Sequence, residues 1–283
     1  MKVKILNQLA CPTCHRTLKF SIHKKTRERI LDGELRCEIC NKKFPIKNGI
    51  TCFISSCKKP TKRTVQNLRK TTLAQEIPKK WILLFSREER KALRKEWQWM
   101  LSSIKRSKNS VHLDFATGTG RFLRNIISVA KGEIVALEHS YSICLELQYF
   151  LKKIKKYSRV SIICADARSM PFKNGVFDSV SSWHGLNEPK MKEAIKEAIR
   201  VLKKEGYFVA SGIHYRKGSK SFLRAKKHNI NFLTKEMIVS ALKNAGICNI
   251  EHKIFFEGRW NEKGDYLPVL NDWYISYAVR NRK

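Results

Sequence analysis

The chain has 283 residues, 42% of them hydrophobic and 29% charged, which is enough apolar material for a sizeable core and too much chain for one minimal binding module. Its 58 Lys and Arg against 24 Asp and Glu leave a net charge of +34, which points first to a polyanionic partner. No run of about 18 apolar residues occurs, which excludes a membrane-spanning helix, and the opening MKVKILNQLACP lacks the apolar core and cleavage site of a secretion signal.

In chain order, residues 1–54 read as short strands and knuckles. Cys11-Pro-Thr-Cys14 is followed by a basic strand ending at Phe20-Ser-Ile22, a turn at Asp32-Gly33 and Leu35-Arg-Cys37-Glu-Ile-Cys40. Two C-x-x-C pairs, 22 residues apart, place four thiolates around one point, the tetrahedral set that zinc prefers. With Cys11, Cys14, Cys37 and Cys40 all cysteine, no coordination position stays open, so the metal is expected to be structural. With no secretion signal, metal ligation in a reducing, cytoplasmic compartment fits better than disulfides. Cys52 reads as a buried small residue and Cys57 as a free thiol; Cys144, Cys164 and Cys248 fall in apolar surroundings and read as core.

Residues 55–109 form a basic connector. Residues 1–109 hold 28 basic and 8 acidic side chains, so the front of the chain is the more basic part. Ser86-Arg-Glu-Glu89 is a capping box that opens a helix to about Ser107, with Leu93, Trp97, Met100, Leu101 and Ile104 at helical spacing as a core or seam stripe.

From residue 110 to 283, strands and helices alternate, the signature of a parallel sheet covered on both faces. Strands are expected at Val111–Phe115, Glu133–Glu138, Val160–Cys164, Phe177–Ser182, Tyr207–Ser211, Ile250–Glu257 and Trp273–Val279, with helices at Arg121–Val129 and Lys190–Leu202. The first strand runs into Asp114-Phe-Ala116-Thr117-Gly118-Thr-Gly120, a small-residue loop opening a helix, where a ligand can approach the backbone closely. Such a loop alone would also suit a dinucleotide. Glu138 ends the second strand, where a carboxylate can accept both hydroxyls of a ribose, and Ala165-Asp166-Ala167 ends the third, where an acid can face an adenine amino group.

Two resemblances follow from these motifs. Leu6-Asn-Gln-Leu-Ala-Cys-Pro-Thr-Cys14, with Leu35–Cys40, Phe44-Pro-Ile46 and Asn48-Gly-Ile50, resembles the small zinc-ribbon activators that partner tRNA, rRNA and release-factor methyltransferases. Residues 111–280 resemble the class I S-adenosylmethionine-dependent methyltransferases, most closely the group that holds quinone and small-molecule methyltransferases. This implies an α/β fold: a seven-stranded Rossmann-like methyltransferase sheet of order 3-2-1-4-5-7-6, strand seven antiparallel, with a small N-terminal zinc ribbon. It also implies that Asp114 and Ala116, Thr117, Gly118 and Gly120 hold the methionine end of S-adenosylmethionine, Glu138 the ribose, and Asp166 with Ala167 the adenine. Ala116 stands where the commoner member has glycine.

Methyl transfer is an in-line displacement, so the substrate-facing groups are expected after strands four and five. There His184 could act as general base, Trp183 or Tyr215 could stack on a planar substrate, and Asn187 or Glu188 could read its edge. Neither the Asn/Asp-Pro-Pro-Tyr/Phe run of exocyclic-amine methylators nor a Pro-Cys pair follows strand four. The insert Tyr215–Asn231, with Arg216, Lys217, Lys220, Arg224, Lys226, Lys227 and His228, reads either as a rim for phosphates or as a solvated helix. The expectation is a methyltransferase acting on RNA, tRNA or rRNA, with a possible protein partner through the ribbon. A small-molecule, quinone or lipid methyltransferase and a cofactor-holding scaffold stand as rivals.

Overall fold

The computed structural model describes residues 1–55, 85–107, 111–261 and 268–282. The ribbon begins with a 3-10 turn, Val3–Gln8, and continues as an antiparallel meander of β1 (Leu18–Lys25), β2 (Ile30–Cys37), β3 (Lys43–Lys47) and β4 (Ile50–Cys52). The capping box forms as expected: Glu89 N–H donates to Ser86 Oγ and Ser86 N–H to Glu89 Oε2, starting α1 (Arg87–Arg106). The alternating region follows as β5 (Val111–Phe115), α2 (Leu123–Val129), β6 (Glu133–Glu138), α3 (Tyr141–Lys153), β7 (Val160–Cys164), β8 (Phe177–Trp183), α4 (Lys192–Val201) and β9 (Leu202–Tyr215). It ends with α5 (Lys220–Lys227), α6 (Lys235–Asn244), β10 (Glu251–Arg259) and β11 (Trp273–Arg282). No helix of the described residues is long and apolar enough to cross a membrane.

The strands of the alternating region lie in the order β7-β6-β5-β8-β9-β11-β10, with β11 antiparallel to both neighbours. That is the expected 3-2-1-4-5-7-6 order. The sheet as a whole has eleven strands rather than seven, because β4 pairs in parallel with β7, Thr51 against Ile163 and Cys52 against Cys164. Without β4, the outer edge of β7 would present unpaired N–H and C=O groups; the ribbon covers it.

Neighbouring residues on β6 enter different cores, Val135 and Leu137 on one side, Ile134 and Ala136 on the other, because successive side chains of a strand point to opposite faces. The Val135 face also collects Ile5, Leu35 and Phe44 from the ribbon, so ribbon and sheet share one core. Polar contacts tighten the joint. Arg29 lies over the Tyr157 ring, 3.9 Å from its centroid, and donates to the carbonyls of Tyr157 and Val160, each at 3.0 Å. Ala10 N–H donates to Pro171 O, Lys173 N–H to Gln8 O and Ser169 Oγ to Pro12 O.

Three sequence expectations need correction. First, β9 continues through Gly212–Tyr215 instead of ending at Ser211, because these residues pair with Tyr274–Tyr277 of β11; Tyr215 is therefore a sheet residue and not part of a loop. Second, Cys248 is exposed, whereas Cys52, Cys144 and Cys164 are buried. Third, the α1 stripe packs Trp97, Met100, Leu101 and Ile104 on the core as expected, but Leu93 is not part of that cluster and the deepest charged position of the helix is Glu96, 1% exposed. Cys57 and the basic connector from 56 to 84 lie outside the described residues.

Candidate active site

The C-terminal ends of β5, β6, β7 and β8 surround a cleft of about 580 Å³, a size usual for a small-molecule site. Its lining includes Gly118, Glu138, Asp166, Ala167, Trp183 and His184. The loop after β5 has three left-handed positions in five residues, Ala116 at φ 50°, Gly118 at 55° and Gly120 at 81°. Only Ala116 incurs the steric cost of a Cβ there.

Asp114 pins this loop from below. Its carboxylate accepts from Ser181 Oγ at 2.6 Å and from Thr117 Oγ1 at 2.5 Å, and burial pushes its pKa up to about 6 against those hydrogen bonds. Glu138, at the end of β6, accepts Gly118 N–H and Ser140 N–H, both at 2.9 Å, so it grips the loop while its remaining lone pairs border the cleft. Asp166 is half-screened. Burial would raise its carboxyl, but the bidentate guanidinium of Arg168, with N–O distances of 2.6–3.0 Å, holds it below its ordinary value. A Cβ built on Gly118 meets nothing within 4 Å, so that stretch of backbone opens on the cleft. A bare loop backbone between two rim carboxylates suits a cofactor with a ribose, an adenine and a charged amino-acid end.

The residues after β8 diverge. His184 lines the cleft in a left-handed conformation, φ 60°; burial, then the nearby Arg121 charge, lower its pKa to about 4, so its imidazole is neutral near pH 7. Asn187 is turned elsewhere: its carboxamide accepts from Ile213 N–H at 2.9 Å and donates to Ile213 O at 3.1 Å, clamping the turn to β9. Tyr215 packs with Ala225, Leu233 and Tyr274 in a separate apolar cluster, where burial raises its phenol. Of the three residues read as catalytic, the structure places His184 alone on the cleft lining.

Glu96 was not singled out in the sequence. Its Oε1 accepts Trp183 Nε1–H at 3.0 Å and lies 3.9 Å from His184 Nε2, and its Oε2 accepts the Ser276 hydroxyl. Its signal was a carboxylate four residues before Met100 and four after Ala92, on the face of the helix that is otherwise apolar. Burial pushes its pKa up from 4.5 to about 7. Between those values the folded chain holds a proton that the unfolded chain has released. Stability is therefore lost as the pH rises through this window, by about 3 kcal/mol once Glu96 is ionised. Glu96→Gln is expected to leave the melting temperature at pH 4.5 nearly unchanged and to raise it at pH 8, which thermal unfolding at the two pH values reads directly.

Within the ribbon, the Cys11, Cys14, Cys37 and Cys40 sulfurs all lie within 4.8 Å of one another, with Cys11–Cys40 at 3.5 Å and Cys14–Cys37 at 3.4 Å. Tetrahedral ligands about 2.3 Å from a zinc ion would be about 3.8 Å apart, so the set fits such an ion with little adjustment. The backbone N–H of Cys40 contributes most to lowering the Cys37 thiol to about 6.

Residues 113–206 match the methyltransferase domain family, and residues 2–49 match the Trm112p-like protein family. The chain is 27% identical over 206 residues to a demethylmenaquinone methyltransferase of Staphylococcus carnosus, covering 62% of this chain and 82% of that one. It is 35% identical over 98 residues to the uncharacterized protein MJ1252 of Methanocaldococcus jannaschii, and spans only 34% of that relative's length. The UPF0434 protein WIGBR2520 of Wigglesworthia glossinidia brevipalpis is 36% identical over 63 residues, 22% of this chain and 98% of that protein. Among solved structures, a geranyl diphosphate C-methyltransferase from Streptomyces coelicolor A3(2) superposes with a TM-score of 0.53 over 67% of this chain and 76% of its own, at 10% identity, a likeness of fold alone. Cleft, strand order and matched sequence agree that residues 113–206 carry a methyltransferase domain of the class I S-adenosylmethionine-dependent kind, with a Trm112p-like ribbon built into the edge of its sheet.

Proposed function

We propose that this chain methylates RNA from S-adenosylmethionine, and that Cys11, Cys14, Cys37 and Cys40 hold a structural zinc ion in a protein of the cytoplasm. The cofactor would supply an electrophilic methyl group on a positively charged sulfur. The chain's own task is to hold that methyl and the acceptor atom in line, with the cofactor's ribose on Glu138, its adenine beside Asp166 and Ala167, and its amino-acid end on the Asp114–Gly120 loop.

One observation carries the choice of RNA. A recess of about 350 Å³ opens beside the cleft, lined by Arg168, Lys190, Lys192, Asn229 and Asn231 with Glu193 as its single acid, and Arg168 lines both spaces. The basic α5, with Lys220, Arg224, Lys226 and Lys227, leads into it through Asn229 and Asn231. Cations and amides beside the reacting centre suit phosphates that flank a base inserted into the cleft. The ribbon's protein-binding capacity is taken up at least in part within the chain, by the loop after β7.

The Lys190→Glu/Lys192→Glu protein is expected to bind total RNA about tenfold more weakly at 100 mM salt, with a slope of log affinity against log salt shallower by about 1 to 2. Binding of S-adenosylhomocysteine should stay within twofold. Labelled methyl from the wild-type protein should appear in the RNA of a host that lacks this gene. Label confined to the organic fraction would instead favour a quinone or other small acceptor, a reading supported by Leu137, Ile143 and Met191 in the cleft wall and by the demethylmenaquinone methyltransferase relatives.

A further inference from the structure

We propose that Glu96 is the positioning acid of a buried carboxylate–imidazole pair, acting through His184, which takes the proton of the methyl acceptor. The inference rests on the methyltransferase reading and adds to it a residue from α1, outside the matched methyltransferase region.

Three geometric facts support it. Glu96 reaches the cleft from behind, its two oxygens engaged by Trp183 and Ser276 and the nearer one 3.9 Å from His184 Nε2. Trp183 and His184 both line the cleft, so the acid holds the indole that stands next to the imidazole. His184 takes a left-handed conformation, φ 60°, at the corner that follows β8, directly after the indole that Glu96 holds.

Chemically, a carboxylate buried to 1% exposure is costly unless a cation forms beside it. The acceptor gives its proton to the neutral ring nitrogen and keeps the bonding pair for the incoming methyl. The imidazolium formed then faces a carboxylate, the pair is neutral overall, and the proton later leaves to water through the half-exposed face of His184. Elevation of Glu96 and depression of His184 accord with this division of labour, since a ring that is neutral at pH 7 can accept a proton. The other groups bearing on the pair are the Arg121 charge on His184 and, around Glu96, Ser211, Tyr274 and Tyr277. All but Arg121 are neutral at pH 7, so Arg121 is the one charge beside the pair.

Two measurements on the full-length protein test this. In the cofactor-free protein, the His184 ring signal followed by NMR should shift with a midpoint near pH 7 in the wild type and stay flat from pH 6 to 9 in Glu96→Gln; identical curves would overturn the proposal. With total RNA as acceptor, Glu96→Gln should lower kcat by about 100-fold, leave KM within about twofold and remove the limb near pH 7 from the pH profile. His184→Asn, which tolerates the left-handed backbone, should cost as much, and the double variant no more than either. Additive losses, or a loss confined to KM, would mean that Glu96 only anchors α1. If the wild type transfers no methyl to RNA, the choice of acceptor falls, and the NMR comparison still decides the pair.

Discussion

Stripping the metal with a chelator, or replacing Cys37 with Ser, is expected to lower the melting temperature by about 10 °C and to weaken S-adenosylhomocysteine binding at least tenfold, although no cysteine lies in the cofactor cleft. The first effect follows from the ribbon itself. A four-thiolate zinc site contributes about 10–16 kcal/mol to folding the segment that carries it, and without that contribution a piece of about 50 residues has little core of its own. The second follows from the contacts of Gln8, Ala10 and Pro12 with Lys173, Pro171 and Ser169. The last three belong to the loop after β7 that opens with Asp166 and Ala167, so releasing the ribbon releases the Asp166 side of the cleft. Differential scanning calorimetry and titration calorimetry on the same preparation separate the two effects. Intact cofactor affinity after loss of the ribbon would show that the loop holds its shape unaided.

Gly120→Val is the second large effect. At φ 81° a β-branched residue is strained, and the Cβ would lie 2.6 Å from Leu147 Cδ1 and 3.6 Å from Leu123 Cδ2. Strain and overpacking together cost about 3 kcal/mol, and relief requires the loop to move off α3. Cofactor affinity is expected to fall about 100-fold and chemical stability with it. Gly118→Ala makes the informative contrast. Its Cβ meets nothing, and Ala116 already tolerates φ 50° two residues away, so the cofactor-free protein should lose about 1 kcal/mol or less while the new methyl projects into the cleft, where the proposed cofactor would lie. Urea denaturation with S-adenosylhomocysteine titration distinguishes a variant that is unstable and unable to bind from one that is merely unable to bind.

The parts of the fold that were legible in the sequence are those whose cause is local. The Ser86 capping box, the strand limits at Val111, Glu133 and Val160 and the four-cysteine cluster each depend on residues a few positions apart or on ligand chemistry that tolerates few substitutes. Features set by distant partners were hidden. Tyr215 looks like a loop residue until β11 pairs with it, and Asn187 looks free to read a substrate until Ile213 occupies both ends of its amide. Glu96 reads as one more charge in a chain full of them, and its burial is set by β8 and β11, which lie roughly 90 and 180 residues further along. Nothing in residues 1–54 announced that β4 would join the main sheet, because Ile50-Thr51-Cys52 is as plausible a ribbon strand as a sheet edge.

That junction also orders events in time. β4 emerges from the ribosome about a hundred residues before β7, which at about 5–20 residues per second leaves the ribbon waiting some seconds with an open strand edge. Parallel pairing across such a separation is slow, and an exposed edge in the interval is a site for self-association. A ribbon that held the proposed zinc ion would offer a rigid template on which β7, then the rest of the sheet, can register. Metal supply during synthesis would therefore govern yield as well as cofactor affinity: starved cells should accumulate this protein in inclusion bodies.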